Sequence, residues 1–100
     1  MVIEWLKFRV PRADQQRFLE TDKAVWTAAL STCSGFLNKE VWLHPSEDEV
    51  LFIIRWANRD DWKAIPEESL AALEAEFQRR MGQAYPLIEA EEYVQGPAPT

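Results

Sequence analysis

The segment from Val50 to Trp56 is apolar on both of its alternating faces, with Arg55 as its one charged residue. A strand of this composition belongs in the middle of a sheet that is covered on both sides, because both of its faces have to be buried. The rest of the chain must therefore supply neighbouring strands and a cover for each face of the sheet.

Three further segments alternate between apolar and polar residues and are predicted strands: residues 2–10, 36–44 and 87–94. Helical periodicity covers residues 12–30 and the stretch from Pro66 to Gly82. The resulting order, β-α-β-β-α-β, is that of the ferredoxin-like α+β fold, an antiparallel sheet with both helices on one face. One domain is predicted over residues 1–94, followed by a flexible tail at residues 95–100.

The first helix is expected to be interrupted. A bend is predicted near Thr21, so that two helical pieces follow each other. Asp22 is of a residue type that often caps a helix N-terminus, because its carboxylate accepts backbone N–H groups. We therefore expect Asp22 to start the second piece.

The charge balance of the chain is acidic, with 17 acidic and 11 basic side chains and a net charge of −6. Nucleic-acid-binding proteins usually present a basic stripe, and an acidic protein is repelled by anionic membranes. The single cysteine, Cys33, excludes an internal disulfide and fits a reducing compartment. Glu4 and Lys7 interrupt the first apolar stretch, so a signal peptide is not expected there. These features predict a cytoplasmic protein that binds neither nucleic acid nor membranes.

The sheet face turned away from the helices is expected to be apolar. A face of this kind usually marks an interface, which predicts a homodimer in which two sheets pack together as an α/β barrel. A monomer with a partly apolar face is the alternative. The residues concerned are Ile3, Trp5, Trp42, Leu51 and Ile53.

Several short motifs carry a resemblance to a known family. They are Ser34-Gly35-Phe36, Lys39-Glu40-Val41-Trp42, Ile53-Ile54-Arg55-Trp56 and Asp61-Trp62. With them, residues 2–94 resemble the antibiotic-biosynthesis-monooxygenase-like superfamily of dimeric α/β barrels, and most of all a small uncharacterised family known mainly from cyanobacteria. The resemblance implies the barrel and the dimer. It does not imply oxygenation, since the superfamily includes haem degraders, cofactor-free oxygenases, isomerases and proteins without known activity.

The haem-degrading branch of that superfamily does not match. Its pattern needs an Asn on the first strand, a Trp after the short helical turn and a His on the second helix. Here strand one has no Asn, Ile65 stands near the position of that Trp, and the second helix has no His. Asp60 and Asp61 have no neighbouring His or further acid to complete a metal site, and no cofactor is predicted.

Four residues are candidates for ligand binding: His44, Arg55, Trp56 and Trp62. His44 is the only histidine and is able to act as a base near neutral pH, although a solvated strand-end residue is the plainer interpretation. Arg55 is able to hold a carboxylate or phenolate, or to form an ion pair with Glu40 or with an acid of the fourth strand.

Trp56 and Trp62, together with Trp26, are candidates to line a pocket for a flat aromatic molecule, unless they are ordinary core residues. Three functions remain open from the sequence. The first is a dimeric module that binds a small hydrophobic or aromatic molecule or another protein. The second is a cofactor-independent monooxygenase acting on a flat phenolic substrate, and the third is an assembly piece that contacts a basic partner through residues 89–92. Whether the chain is an enzyme is left open.

Overall fold

The computed structural model describes residues 1–99, and it consists of a four-stranded antiparallel sheet with the helices packed on one face. The strands lie in the order β2-β3-β1-β4. Their limits are β1 at Val2–Arg9, β2 at Phe36–Leu43, β3 at Glu49–Trp56 and β4 at Leu87–Val94. The predicted ferredoxin-like α+β fold is confirmed, and each predicted strand limit agrees to within one residue.

Strand β3 occupies an interior position, as its apolar composition predicts. Its even-numbered residues from Val50 to Trp56 are buried beneath the helices, and Trp56 is 0% exposed. Its odd-numbered residues, which include Leu51, Ile53 and Arg55, are half-buried. Within one chain the helices therefore cover only one of the two faces of β3, because both helical regions lie on the same side of the sheet.

The first helical region runs without a break from Arg12 to Leu30. It consists of α1 (Arg12–Asp22), a π-helical turn (Lys23–Thr27) and α2 (Ala28–Leu30). Asp22 has helical dihedral angles, φ −58° and ψ −44°, and its side chain caps nothing. The expected cap is therefore wrong: the backbone stays helical through Asp22 by widening one turn, and the Asp22 carboxylate is used elsewhere. The bend near Thr21 stays a prediction.

The second helical region contains a short helix, α3 (Arg59–Lys63), and a longer one, α4 (Glu67–Met81). The side chain of Asn58 accepts a hydrogen bond of 2.8 Å from the backbone N–H of Asp61 and so caps α3. Helix α4 ends at Gly82, which has a φ of +80° in the left-handed region that glycine adopts without strain.

The centre of the core is a cluster of rings around Phe18 of α1. This ring contacts those of four aromatic residues from the sheet, α4 and the segment before β4, at centroid distances between 5.3 and 5.9 Å. The four are Phe8, Phe52, Phe77 and Tyr85. The cluster packs the helical layer, formed by α1 and α4, against the sheet.

The end of the chain beyond β4 forms neither helix nor strand over residues 95–99. Thr100, the last residue of the predicted tail, lies outside the described residues, and the flexibility of the tail stays a prediction. Within residues 1–99 every helix is too short or too polar to cross a membrane.

Candidate functional site

A cavity of about 530 Å³ lies between the helix-facing side of the sheet and the helical layer. We call it the interior cavity. Its volume falls in the range of natural small-molecule sites, roughly 300–1,000 Å³. Most of its wall is apolar, and seven aromatic side chains contribute to it: Phe8, Phe18, Trp26, Phe52, Trp62, Phe77 and Tyr85. Three buried or half-buried charged residues also reach it: Glu4, Asp22 and Lys39.

Lys39 enters the interior cavity from β2 and is held by two residues of the helical layer. Its Nζ lies 2.5 Å from Oδ2 of Asp22 and 3.0 Å from Oγ1 of Thr27. It also lies 4.1 Å from the centroid of the Phe52 ring, within the range of a cation–π contact. The side chains of Lys39 and Asp22 are only 4% and 6% exposed. The ion pair is therefore almost wholly shielded from water.

The π-helical turn explains why two residues of one helix reach the same ammonium group. In a regular α-helix, residues five apart point in directions roughly 140° different. A π-turn bonds residues five apart, which brings their side chains to nearly the same face. Thr27 donates a hydrogen bond of 3.4 Å to Asp22, five residues before it, and both contact Lys39. Such turns occur frequently at functional sites.

Glu4 is the second charged residue on the sheet side of the interior cavity. The β1 register places it on the helix-facing side, beside Ile54 of β3. The indole N–H of the buried Trp56 donates a hydrogen bond of 3.2 Å to Glu4 Oε1. Ile54 is in turn paired with Lys39 of β2, so the acid and the base flank one isoleucine in a single row across three strands.

Burial shifts the ionisation of all three of these charged groups. It raises the pKa of Glu4, a shift that the hydrogen bond from Trp56 and the charges of Lys63 and Lys39 oppose. Burial also raises the pKa of Asp22 and lowers that of Lys39, and their attraction for each other opposes both changes. Perturbed groups collected in one cavity are a common mark of functional sites.

The rim of the interior cavity carries further charges that are exposed. Glu67 and Glu74 of α4 and Lys63 of α3 lie there. The Lys63 ammonium sits 4.0 Å from the centroid of the Trp62 ring. The polar groups of the cavity are thus divided into a buried set on its floor and a solvated set at its edge.

A second, more open groove of about 680 Å³ lies on the outer side of Leu30 and Ile65. Its single carboxylate, Asp61, is held by Asn58 at 3.0 Å. No aromatic residue is among the described residues that line this groove, whereas the interior cavity combines aromatic rings with a buried ion pair and is therefore the better candidate site. Over the same residues, no three His, Cys, Asp or Glu side chains are grouped closely enough to hold a metal ion.

Residues 1–65 match the family model described as antibiotic biosynthesis monooxygenase. The chain belongs to this family. The match includes all of β1 to β3, the first helical region and α3, and hence Glu4, Asp22, Lys39 and Trp62. No curated protein sequence matches the chain.

Solved structures of other proteins share the fold at low sequence identity. SnoaB, a cofactor-independent oxygenase from Streptomyces nogalater, superposes with a TM-score of 0.72 at 15% identity, over 97% of this chain and 94% of that one. The ActVA-Orf6 monooxygenase of Streptomyces coelicolor, solved with the ligand nanaomycin D, superposes with a TM-score of 0.73 at 14% identity. The match covers 99% of this chain and 90% of that one. A putative antibiotic biosynthesis monooxygenase from Deinococcus radiodurans superposes with a TM-score of 0.69 at 17% identity, over 100% of this chain and 97% of that one. At these identities the likeness shows a shared fold.

The four predicted binding residues do not lie together in this family member. Trp62 lines the interior cavity, as does Trp26. Trp56 lies behind the cavity wall and contacts Glu4 instead.

The other two predicted residues lie away from the cavity. Arg55 is on the opposite face of the sheet, where it pairs with Glu40 and donates a hydrogen bond of 3.2 Å to Asn38. His44 is exposed beyond the end of β2, and its Nδ1 accepts hydrogen bonds from the backbone N–H groups of Ser46 and Glu47. A ligand-binding role for Arg55 or His44 stays a prediction.

Sequence reasoning missed Glu4, Asp22 and Lys39 as members of one site. A signal for two of them was present. Glu4 interrupts the apolar positions on the helix-facing side of β1, and Lys39 shares its side of β2 with Val41. A charge placed on the buried side of a strand needs a partner or a function. The third had no signal, because a π-turn leaves no periodic pattern in the sequence.

Proposed function

We propose that the chain binds a small, flat aromatic molecule in the interior cavity. The observation that carries the proposal is the lining itself, a largely apolar wall of aromatic rings with a few buried polar groups converging from one side. Rings such as those of Trp26 and Trp62 bind planar molecules by stacking and edge contacts. Natural ligand sites combine an apolar wall and a small number of polar groups in the same way.

The charged residues of the cavity floor indicate the kind of aromatic molecule. An ammonium group has three donors, and Lys39 uses two of them on Asp22 and Thr27. Glu4 Oε1 is engaged by Trp56, and its other oxygen has no hydrogen-bond partner among residues 1–99. A ligand with an oxygen substituent, such as a phenol, is able to use both groups. We therefore propose hydroxyaromatic or quinone-like compounds as the ligand class.

Calorimetric titration with 2-naphthol and with its saturated counterpart decahydro-2-naphthol tests this proposal. We expect the aromatic compound to bind and the saturated compound to bind at least tenfold more weakly. Leu70→Trp fills the cavity from α4 and should abolish binding. Leu73→Trp, one turn along the same helix, faces the outer groove and serves as the matched control. Equal binding by both variants would exclude the cavity as the site.

A second candidate function is cofactor-independent oxygenation of such a molecule. It is supported by membership of the family and by Glu4, a buried carboxylate with a raised pKa. In such a reaction a CH₂ group of the substrate becomes C=O. Dioxygen gives one atom to that carbon, and the other leaves as water with the two hydrogens, so the substrate supplies all the electrons. The protein has to bind, orient and deprotonate the substrate.

Oxygen uptake separates the two candidates. With hydroxyaromatic ketones that carry a benzylic CH₂ group, an oxygenase consumes dioxygen and incorporates ¹⁸O from ¹⁸O₂ into the product. If Glu4 is the proton acceptor, Glu4→Gln should lower the turnover at least 100-fold, as expected for the loss of a general base. Binding without uptake by any compound of this class would leave a binding module.

We also propose that two chains associate through the sheet face that the helices leave open. This face carries six large apolar side chains, of which Trp42 and Tyr93 are more than half exposed. The indole N–H of Trp5 is buried at this face without a hydrogen-bond partner among residues 1–99, and an acceptor from a second copy would satisfy it. The six residues are Ile3, Trp5, Trp42, Leu51, Ile53 and Tyr93. A cytoplasmic location is proposed as well, supported by the single, free Cys33.

A further inference from the structure

The group formed by Lys39, Asp22 and Thr27 has the geometry of an activated nucleophile. An amine lies within hydrogen-bond distance, 2.5 Å, of a carboxylate that is able to take its proton. A hydroxyl group at 3.4 Å from the carboxylate and 3.0 Å from the amine orients both. A nucleophile next to a base, with the base held by a third group, is the arrangement found in covalent catalysis.

The surroundings of this group also favour the neutral amine. Lys39 is buried against the Phe52 ring in an apolar cavity, where charged forms are costly. Burial lowers the pKa of Lys39 and raises that of Asp22, so moving the proton from the ammonium to the carboxylate costs less than it would in water. Lysines that form imines with carbonyl compounds are activated by such desolvation.

We propose that Lys39 forms a covalent imine with an aromatic aldehyde or ketone held in the interior cavity, with Asp22 as the proton carrier. Asp22 takes a proton from the Lys39 ammonium, and the amine nitrogen adds to the carbonyl carbon to give a carbinolamine. Asp22 then returns the proton to the carbinolamine oxygen. Asp22 next carries one of the two N–H protons to the same oxygen, which leaves as water. The last N–H proton passes to Asp22 as the C=N bond forms. The overall change is amine plus carbonyl to imine plus water, without an oxidant or reductant.

The plainer interpretation is an ion pair that joins β2 to the first helical region. A pair of that kind explains the 2.5 Å contact, but it does not require Lys39 to line a ring-walled cavity of about 530 Å³. The proposal rests on the cavity being the aromatic binding site proposed above. It extends that function from reversible binding to a covalent step.

Reductive trapping tests the proposal with 2-naphthaldehyde as the probe. The protein is incubated with the aldehyde and sodium cyanoborohydride at pH 7, and each modified lysine is identified by peptide mass spectrometry. We expect Lys39 to be modified at least tenfold faster than Lys7, Lys23 and Lys63, and to react faster with 2-naphthaldehyde than with cyclohexanecarboxaldehyde. Modification spread evenly over the four lysines, or absent from Lys39, would overturn the proposal.

Two variants complete this experiment. Lys39→Arg keeps the positive charge beside Asp22 but forms no imine, and it should lose the rapid modification. Lys63→Arg changes the exposed lysine at the rim of the same cavity and should leave the rate at Lys39 within twofold. If 2-naphthol binds while Lys39 stays unmodified, the covalent step is refuted and the binding function stands. If neither compound enters the cavity, both proposals fail.

Discussion

The Lys39 ammonium lies 2.5 Å from the Asp22 carboxylate, in a place where both side chains are almost completely buried. The two residues belong to a strand and to the end of a helix, and they are 17 positions apart. Bringing two charges out of water costs several kcal/mol for each ion, and their attraction repays this only when both are present and well aligned. The pair is therefore expected to couple β2 strongly to the first helical region.

Removing either partner alone should destabilise the fold far more than removing both. We expect Lys39→Met to lower the free energy of unfolding by about 3–5 kcal/mol, because it leaves a buried carboxylate without its partner. In the double variant Asp22→Asn/Lys39→Met the site is neutral, and Asn is still able to accept from Thr27. The free energy of unfolding should fall clearly less in the double variant than the sum of the decreases in the two single variants. Urea unfolding of the four proteins measures this coupling, and strictly additive losses would show that the pair contributes little.

The contrast between β3 and Lys39 shows what the sequence was able to predict. The interior place of β3 follows from local composition, because a segment that is apolar on both faces has few other places in a fold. Strand limits and element order follow from alternation and periodicity for the same reason. The site depends on contacts between distant segments, such as Asp22 with Lys39 and Glu4 with Trp56. Neither contact can be predicted from a local sequence pattern. From the sequence alone, Asp22 is predicted to be a helix cap because its residue type is common at that position.

Glu4 should make stability depend on pH in a defined direction. Burial raises its pKa in the folded protein above the ordinary value of 4.5. A raised pKa stabilises the fold fully below pH 4.5, and that contribution is lost as the pH rises through the folded pKa. Glu4→Gln has no such ionisation and still accepts from Trp56. The stability of Glu4→Gln relative to the unmodified protein should therefore increase from pH 4.5 upwards.

Urea unfolding of both proteins between about pH 4 and pH 8 checks this expectation. Three groups act on the Glu4 carboxylate: Trp56 of β3, Lys39 of β2 and Lys63 of α3. Glu92 lies opposite Glu4 on β4 and is paired with Arg59. Asp22 titrates in both proteins, so its contribution cancels in the difference. A difference in stability that is independent of pH would show that Glu4 is not held in a shifted state.

Gly35 should tolerate no side chain, whereas Gly82 should tolerate one at a modest cost. Both have φ near +80°. A Cβ atom on Gly35 would lie 2.7 Å from Cβ of Asp61, while nothing lies within 4 Å of one on Gly82. Gly82→Ala should cost about 1–2 kcal/mol, the penalty for a left-handed L-residue. Gly35→Ala adds a steric clash and should cost roughly 2–5 kcal/mol in total.

Thermal unfolding of the two alanine variants compares these penalties directly. The backbone oxygen of Gly35 also accepts a hydrogen bond of 2.7 Å from the N–H of Ala57, which ties the turn before β2 to the end of β3. A shift of the chain at Gly35 would therefore disturb α3 and the position of Trp62 at the cavity. Similar losses for the two variants would mean that the turn moves away from Asp61 without cost.

The proposed dimer can be tested with two neighbouring residues on opposite faces of β2. Trp42 is on the open sheet face and is 56% exposed, and Leu43 is on the helix-facing side and is 50% exposed. If the open face is the interface, Trp42→Glu buries a charge there. The dimer dissociation constant should rise roughly 30-fold or more, the effect of losing a residue that contributes about 2 kcal/mol. Leu43→Glu makes the same change at similar exposure and should leave the constant nearly unchanged. Sedimentation equilibrium measures both. Each residue is already half exposed to water within one chain, so neither charge should disturb the fold. If only Trp42→Glu is a monomer, the interface lies on the open face. If the unmodified protein is a monomer, the dimer is refuted.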